Sequence, residues 1–230
     1  MRAFVIAGKA IVGFYNDMFV FVAMSLLWWV TGGFFIAIAA AVGLTLFVGG
    51  GPWWIAPLIA IPAGPAIIAL ASVTRQTTRG RAADRRDYFD AFKANWKAGL
   101  TLNALGMVVL SLLLLNLIFY TFQSSAVLRL LAILWAYLVL FWTSILFYVY
   151  PFYLALEKPS LWHTLRLAAL GTFANPLFSV LLLLVAFGLT AISVVLVVLV
   201  LIAWPALIAL LGEHALRLML ERAGVEQPGE

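Results

Sequence analysis

The chain has 230 residues, of which 66% are hydrophobic and only 10% charged, and its mean hydropathy is +1.12. A soluble domain carries about 45–50% apolar and about 25% charged residues, so this chain lacks the polar surface of a water-soluble globule. It contains no cysteine, which excludes a disulfide scaffold and thiol chemistry. Long unbroken apolar runs favour helices over the short alternating strands of a barrel. The sequence therefore predicts an all-α polytopic membrane protein, folded as a single integral membrane domain over residues 1–230.

The apolar runs set the predicted transmembrane helices. About 20 apolar residues, each rising about 1.5 Å, cross a hydrocarbon core of about 30 Å. Met18–Val48 is too long for one upright span, and we interpret it as one tilted or hinged span that bends at its glycines. The segments Ile55–Val73, Ala98–Tyr120 and Leu130–Tyr150 each have the length of one span. The run from Pro176 to Gly212 is again too long and is predicted to form a tight hairpin.

The hairpin brings the count to about six transmembrane helices, with five as the alternative. The connection from Thr74 to Lys97 carries seven basic and three acidic residues, a net +4 of the chain's +5. Short cytoplasmic loops collect Lys and Arg, so this connection is predicted to be cytoplasmic. Six spans then place both termini, with Lys158 and Arg166, in the cytoplasm, whereas five spans would export Arg217 and Arg222.

The basic connection also predicts an amphipathic helix at the inner membrane surface. Asp84 is placed to cap it, and Phe89, Phe92 and Trp96 follow at helical spacing. One interpretation is a positive-inside anchor with belt aromatics. The other is a docking surface for a protein partner or for anionic lipid. The candidate docking residues are Arg85, Arg86, Phe89, Phe92, Lys93, Trp96 and Lys97. Nucleic acid is not an expected partner, because the same short loop must already satisfy lipid headgroups.

A second amphipathic helix is predicted after the fourth span. Pro159 and Ser160 open it, and it ends near Gly171, before Asn175 and Pro176 start the next span. Its predicted apolar face consists of Leu161, Trp162, Leu165, Ala168 and Ala169. We expect this helix, like the first, to lie at the interface.

Few residues could carry chemistry. Charges are almost absent from the spans, and Glu213 and Arg217 are spaced as an i,i+4 pair that neutralises itself. His163 and His214 stand alone, without a second ligand at helical spacing. We therefore expect no enzyme activity, catalytic residue, metal site or cofactor. The asparagines Asn103, Asn116 and Asn175 are predicted to hydrogen-bond between helices.

The second span contains a candidate helix break at Pro62, Gly64 and Pro65. Two prolines three residues apart each remove a helical hydrogen bond and clash with the preceding turn. The span is predicted either to kink there, in a loop-like way, or to line a cavity with unwound backbone, as in transporters.

A family resemblance rests on these motifs. The stretch Ile61–Ala66, the sequence Asp87–Lys97 and the later stretch Tyr148–Phe152 follow one another as in the YesL-like integral membrane proteins of bacteria, which the chain resembles over residues 20–220. The resemblance implies a domain of unknown function in the bacterial plasma membrane. It also implies an accessory role near carbohydrate-uptake systems.

The sequence thus favours a non-enzymatic accessory or scaffold subunit of a membrane complex. It would lie in the lipid bilayer and present the 74–97 connection to a membrane or cytoplasmic partner. The alternative is a small-molecule transporter with its site at the broken second helix. A third hypothesis, pigment or haem binding, would use the histidines.

Overall fold

The computed structural model of the chain describes residues 2–156 and 159–222, and every element within these ranges is a helix. Five helical segments are long and apolar enough to cross a membrane: Met18–Val48, Trp53–Thr78, Arg85–Thr121, Ala126–Ala155 and Pro176–Val195. The prediction of an all-α polytopic membrane protein is confirmed.

The first candidate span is hinged at its glycines. Helix α1 (Arg2–Asn16) precedes α2 (Met18–Trp28), and a π turn (Trp29–Gly33) joins α2 to α3 (Phe34–Val48). A Cβ added to Gly32 would lie 2.6 Å from the Cβ of Ala66, so only glycine lets the π turn approach the next span this closely. The structure thus has a π turn at two of the glycines where the run is predicted to bend.

The second span changes helix type in its middle. A 3₁₀ helix (Trp53–Ala63), which contains Pro57 and Pro62, continues directly into α4 (Gly64–Thr78). Pro65 lies in the first turn of α4, where its missing N–H costs no helical hydrogen bond. The predicted break is thus a 3₁₀-to-α transition, and no loop interrupts the span.

Helix α5 (Arg85–Thr121) corrects one prediction. Its 37 residues form one continuous helix, so the predicted interfacial helix and the third span are a single element about 55 Å long. The sequence changes from charged to apolar near Ala98, but the helical hydrogen bonds continue through this point because no proline or glycine turn interrupts them. The turn between α4 and α5 contains Gly80, at a φ of 71°.

Helix α6 (Ala126–Ala155) precedes α7 (Leu161–Ala174), and Lys158 lies outside the described residues. The predicted apolar face of α7 is wrong in part. Its buried positions are Thr164, Ala168 and Thr172, whereas Trp162 is exposed. The small side chains allow α7 to pack closely against α6, and each buried threonine hydroxyl donates to the carbonyl four residues earlier in the chain. The helix also ends at Ala174, one turn beyond the predicted end at Gly171.

The C-terminal part bears on the span count. Helix α8 (Pro176–Val195) is followed by the short α9 (Val197–Ile202) and by α10 (Trp204–Arg222). The chain is interrupted at Leu196 and Ala203, close to the predicted interruption at Trp204 and Pro205. By length and composition α10 is not among the five candidate spans, because its second half is charged. The described residues thus match the alternative count of five.

The core lies around α4 and α10. The larger cluster of buried side chains joins α1, α4, α6, α8 and α10, and the smaller one joins α2, α4 and the start of α5. Helix α4 contributes to both, with Ile68 in the larger cluster and Leu70 in the smaller. The first turns of α5 are therefore packed against the protein core on one side.

Candidate functional site

The start of α5 is held by a capping box. The carboxylate of Asp84 accepts from the backbone N–H of Arg85 at 2.6 Å, and the backbone N–H of Asp84 donates to Oδ2 of Asp87 at 2.7 Å. These bonds satisfy N–H groups that the first helical turn leaves free. The negative charges of the two carboxylates also interact favourably with the positive end of the helix dipole. The predicted cap at Asp84 is confirmed.

One side of this helical segment is exposed and both basic and aromatic. We call it the α5 stripe, and it consists of the exposed residues Arg85, Arg86, Phe89, Lys93, Trp96 and Lys97. Phe89 and Trp96 are 40% and 48% exposed. Nζ of Lys97 lies 5.6 Å from the ring centre of Trp96, in the range of a cation–π contact. The seventh predicted docking residue, Phe92, is half-buried against the smaller core cluster.

The opposite side of the segment is anchored by Tyr88. Its side chain is fully buried among Met24, Trp28 and Val73, and its hydroxyl lies 2.6 Å from Oγ1 of Thr31 in the π turn. Ala91, one turn further along, is buried as well. The sequence analysis did not identify Tyr88 as a buried anchor. The signal that could have identified it is its position on the helix, on the side opposite to the charged residues.

A buried charge cluster lies between α4 and α10. Glu213 is only 3% exposed, and its carboxylate is 3.6 Å from Nε of Arg217 and 3.9 Å from Nη1 of Arg75. Arg217 also donates from Nη2 to Oγ1 of Thr78 at 3.0 Å, and Nη1 of Arg75 donates to the carbonyl of Pro151. The predicted Glu213–Arg217 pair is present, and the second cation, Arg75, is contributed by a helix 138 positions earlier in the chain.

Burial shifts the pKa values of Glu213 and of its neighbour His214 on α10. It raises the pKa of Glu213, and the positive charges of Arg75, Arg217 and Arg79 oppose that shift. Burial lowers the pKa of His214, whose Nδ1 lies 2.8 Å from the carbonyl of Leu210. His163 is exposed on α7. Within the described residues, no three side chains of the metal-binding types come together.

The 3₁₀-to-α transition at the candidate break is packed directly against α5. A Cβ at Gly64 would overlap the carbonyl oxygen of Gly99, so the backbones of α4 and α5 are in direct contact there. The amide nitrogen of Asn103 donates to the carbonyls of Ala60 (2.8 Å) and Ile61 (3.1 Å) just before the transition. The carbonyl of Ile61 also accepts from the backbone N–H of Gly64, so it is satisfied by the chain itself even though residue 65 is proline and has no N–H.

The asparagines divide into two kinds. Asn103 bridges two helices, as predicted, whereas the amide of Asn116 donates to the carbonyl of Leu112 on its own helix. The prediction for Asn116 is therefore wrong. The carbonyl four residues earlier on the same helix is within reach of the asparagine side chain, and the bond within the helix satisfies its amide nitrogen.

One family model matches part of the chain. Residues 18–117 match the family model described as "Protein of unknown function, DUF624", and this is the YesL-like family of bacterial membrane proteins. The matched part runs from the start of α2 almost to the end of α5, so it contains the helix transition and the α5 stripe. Neither the curated proteins nor the solved structures gave a match.

Proposed function

We propose that the chain, whose residues 18–117 match the model of the YesL-like family DUF624, is a non-enzymatic scaffold subunit of a membrane complex. In this proposal the α5 stripe binds an acidic surface of a cytoplasmic partner. By the positive-inside rule, the basic 74–97 connection and the stripe would lie on the cytoplasmic side of the bacterial plasma membrane. The family resemblance makes carbohydrate-uptake complexes the first ones to examine.

The continuity of α5 carries this proposal. Its apolar part, Ala98–Tyr120, is long enough to cross a hydrocarbon core of about 30 Å, and the charged part continues along the same helix axis. At about 1.5 Å per residue, Phe89 lies about 13 Å along this axis from Ala98. The stripe is therefore part of the same helix as a candidate span, which would hold a bound partner in a fixed position relative to the membrane.

The chemistry of the stripe favours an acidic protein surface. Four exposed cations and one exposed carboxylate, that of Asp90, lie around two exposed aromatic side chains and leave a net charge of +3, and interface centres are enriched in aromatic residues and arginine. Tyr88 and the capping box hold the stripe in a fixed conformation, so little conformational entropy is lost on binding.

Photocrosslinking in native membranes tests the proposal. A benzoylphenylalanine at position 89 should crosslink to one discrete protein, and the same group at Leu105, an exposed apolar position on the same helix, should not. The triple variant Arg85→Glu, Arg86→Glu and Lys93→Glu should abolish the crosslink.

The matched control is the double variant Arg79→Glu and Arg81→Glu, which reverses two charges in the 74–97 connection outside the stripe. It should leave the crosslink unchanged. Crosslinks from position 89 to lipid alone would contradict the proposal in favour of a lipid anchor. A protein crosslink that survives the triple reversal would also contradict it.

The alternative function, transport at the helix break, has weaker support. The residues Pro62, Gly64 and Pro65 lie where α4 and α5 are in backbone contact, and Asn103 occupies the carbonyls that an unwound segment would offer to a substrate. This packing favours a structural role for the break.

A further inference from the structure

The charge cluster between α4 and α10 has an excess of positive charge. The carboxylate of Glu213 lies 3.9 Å from Nη1 of Arg75 and 3.6 Å from Nε of Arg217, and the charge of Arg79 acts on it as well. Three cations thus share one buried carboxylate. Partly buried positive charge that is not neutralised is costly, and a bound anion would offset this cost.

Lys9 of α1 adds a fourth cation to this cluster. Helix α1 packs on α10, where a Cβ added to Gly13 would lie 4.0 Å from Cε1 of His214, and Lys9 is one turn away from Gly13. Burial lowers the pKa of His214, and the charges of Arg217 and Lys9 lower it further, so both cations lie near this imidazole. Four cations and two carboxylates, the buried one and the exposed one of Glu221, leave a net charge of +2.

The two guanidinium groups have unused hydrogen-bond donors. Among the described residues, Arg75 donates only to the carbonyl of Pro151, at 3.5 Å, and Arg217 donates only to Oγ1 of Thr78, at 3.0 Å. A guanidinium group carries five N–H donors, and its fork matches the oxygens of a phosphate. The two side chains are 14% and 23% exposed, so an anion at the surface can reach them.

The surroundings of the cluster suit a lipid. Arg75 lies in the last turn of α4, at the end of the candidate span Trp53–Thr78, where the headgroup layer begins. On α1, the exposed side chains of Val5 and Val12 lie one turn before and one turn after Lys9, on the same face. A cation beside an exposed apolar surface can hold a phosphate while the attached acyl chain covers the valines.

We propose that this cluster binds the headgroup of one anionic phospholipid, with its phosphate between Lys9, Arg75 and Arg217 and one acyl chain along α1. Basic pockets between helices at the cytoplasmic side of a membrane recognise such headgroups. The site includes no residue of the α5 stripe, so this inference does not depend on the scaffold function.

Competition for a fluorescent phosphatidylglycerol tests the proposal, with the full chain in detergent micelles. Unlabelled phosphatidylglycerol should displace the fluorescent lipid, and phosphatidylcholine with the same acyl chains should displace it about fivefold less well, because its headgroup has no net charge. Inorganic phosphate should not displace it. Equal displacement by phosphatidylcholine would overturn the proposal, and displacement by inorganic phosphate would overturn it in favour of a site for a free anion.

Two double variants separate this site from general attraction to positive charge. Lys9→Gln with Arg217→Gln should weaken phosphatidylglycerol binding about tenfold or more, because it removes two of the cations that face the phosphate. Arg81→Gln with Arg166→Gln removes two exposed positive charges elsewhere and should leave binding unchanged. Equal losses in both would overturn the proposal. If the Arg217 variant does not fold, Lys9→Gln alone, at an exposed position, should bind about threefold more weakly than Arg166→Gln, and equal binding by these two would overturn the proposal.

Discussion

The hydroxyl of Tyr88 lies 2.6 Å from Oγ1 of Thr31, and this hydrogen bond joins the first turns of α5 to the π turn of the first span. Thr31 also donates to the carbonyl of Leu27 at 2.8 Å, so its own oxygen can accept the tyrosine proton. The bond fixes the buried side of the segment whose other side is the α5 stripe. The stripe is therefore a rigid surface attached to the protein core.

Removing that hydroxyl should destabilise the protein modestly. Tyr88→Phe keeps the buried ring and loses one hydrogen bond, so the free energy of unfolding should fall by about 1 kcal/mol. Denaturation in mixed detergent micelles measures it. The control is Tyr120→Phe at the other end of α5, where the ring stacks on Trp135 and should remain in place. Equal losses in both variants would contradict the role of the Thr31 bond.

The contact between Gly64 and Gly99 predicts a larger effect. Gly64→Ala would drive its Cβ into the carbonyl oxygen of Gly99 and force α4 and α5 apart, with a loss of about 1–3 kcal/mol in unfolding free energy. Gly8→Ala is the matched control, because a Cβ at Gly8 has no neighbour within 4 Å. Alanine should stabilise α1 there by up to about 1 kcal/mol. If both variants changed the free energy of unfolding in the same direction, the result would argue against a close approach of Gly64 to Gly99.

The charge cluster gives a third prediction. Glu213→Gln would leave Arg75 and Arg217 facing each other without their counter-charge, and we expect a loss of about 2 kcal/mol in unfolding free energy. Glu221→Gln, at an exposed position on the same helix, should change it by less than about 0.5 kcal/mol. The same micelle denaturation measures both. An unchanged free energy of unfolding for Glu213→Gln would mean that the charge cluster does not stabilise the contact between α4 and α10.

The sequence predicts local features well. Asp84 caps its helix because capping depends on residues within one turn, and the glycines of Met18–Val48 mark the hinge because their freedom is intrinsic. The charge distribution likewise identifies the basic 74–97 connection. Each of these inferences uses only neighbours in the chain, so one sequence is sufficient.

Features that depend on distant packing are not predictable in the same way. Two examples are the backbone contact of α4 with α5 at Gly64 and Gly99, and the second cation at Glu213, which Arg75 contributes from another helix. The charge cluster therefore emerges from the fold, whereas the α5 stripe is apparent in the sequence.

The buried imidazole of His214 predicts a pH dependence of stability. Burial, together with Arg217 and Lys9, lowers its pKa in the folded protein below the value of about 6.5 expected in the unfolded chain. The unfolded chain then binds the proton more readily, so this contribution to stability is present above about pH 6.5 and is lost as the pH falls through the folded pKa. Thermal unfolding in micelles should show a larger drop in Tm between pH 7.5 and pH 5.5 for the unaltered chain than for His214→Gln. His163→Gln, at an exposed position, should behave like the unaltered chain. An identical pH profile for His214→Gln and the unaltered chain would show that the imidazole is not held neutral by burial.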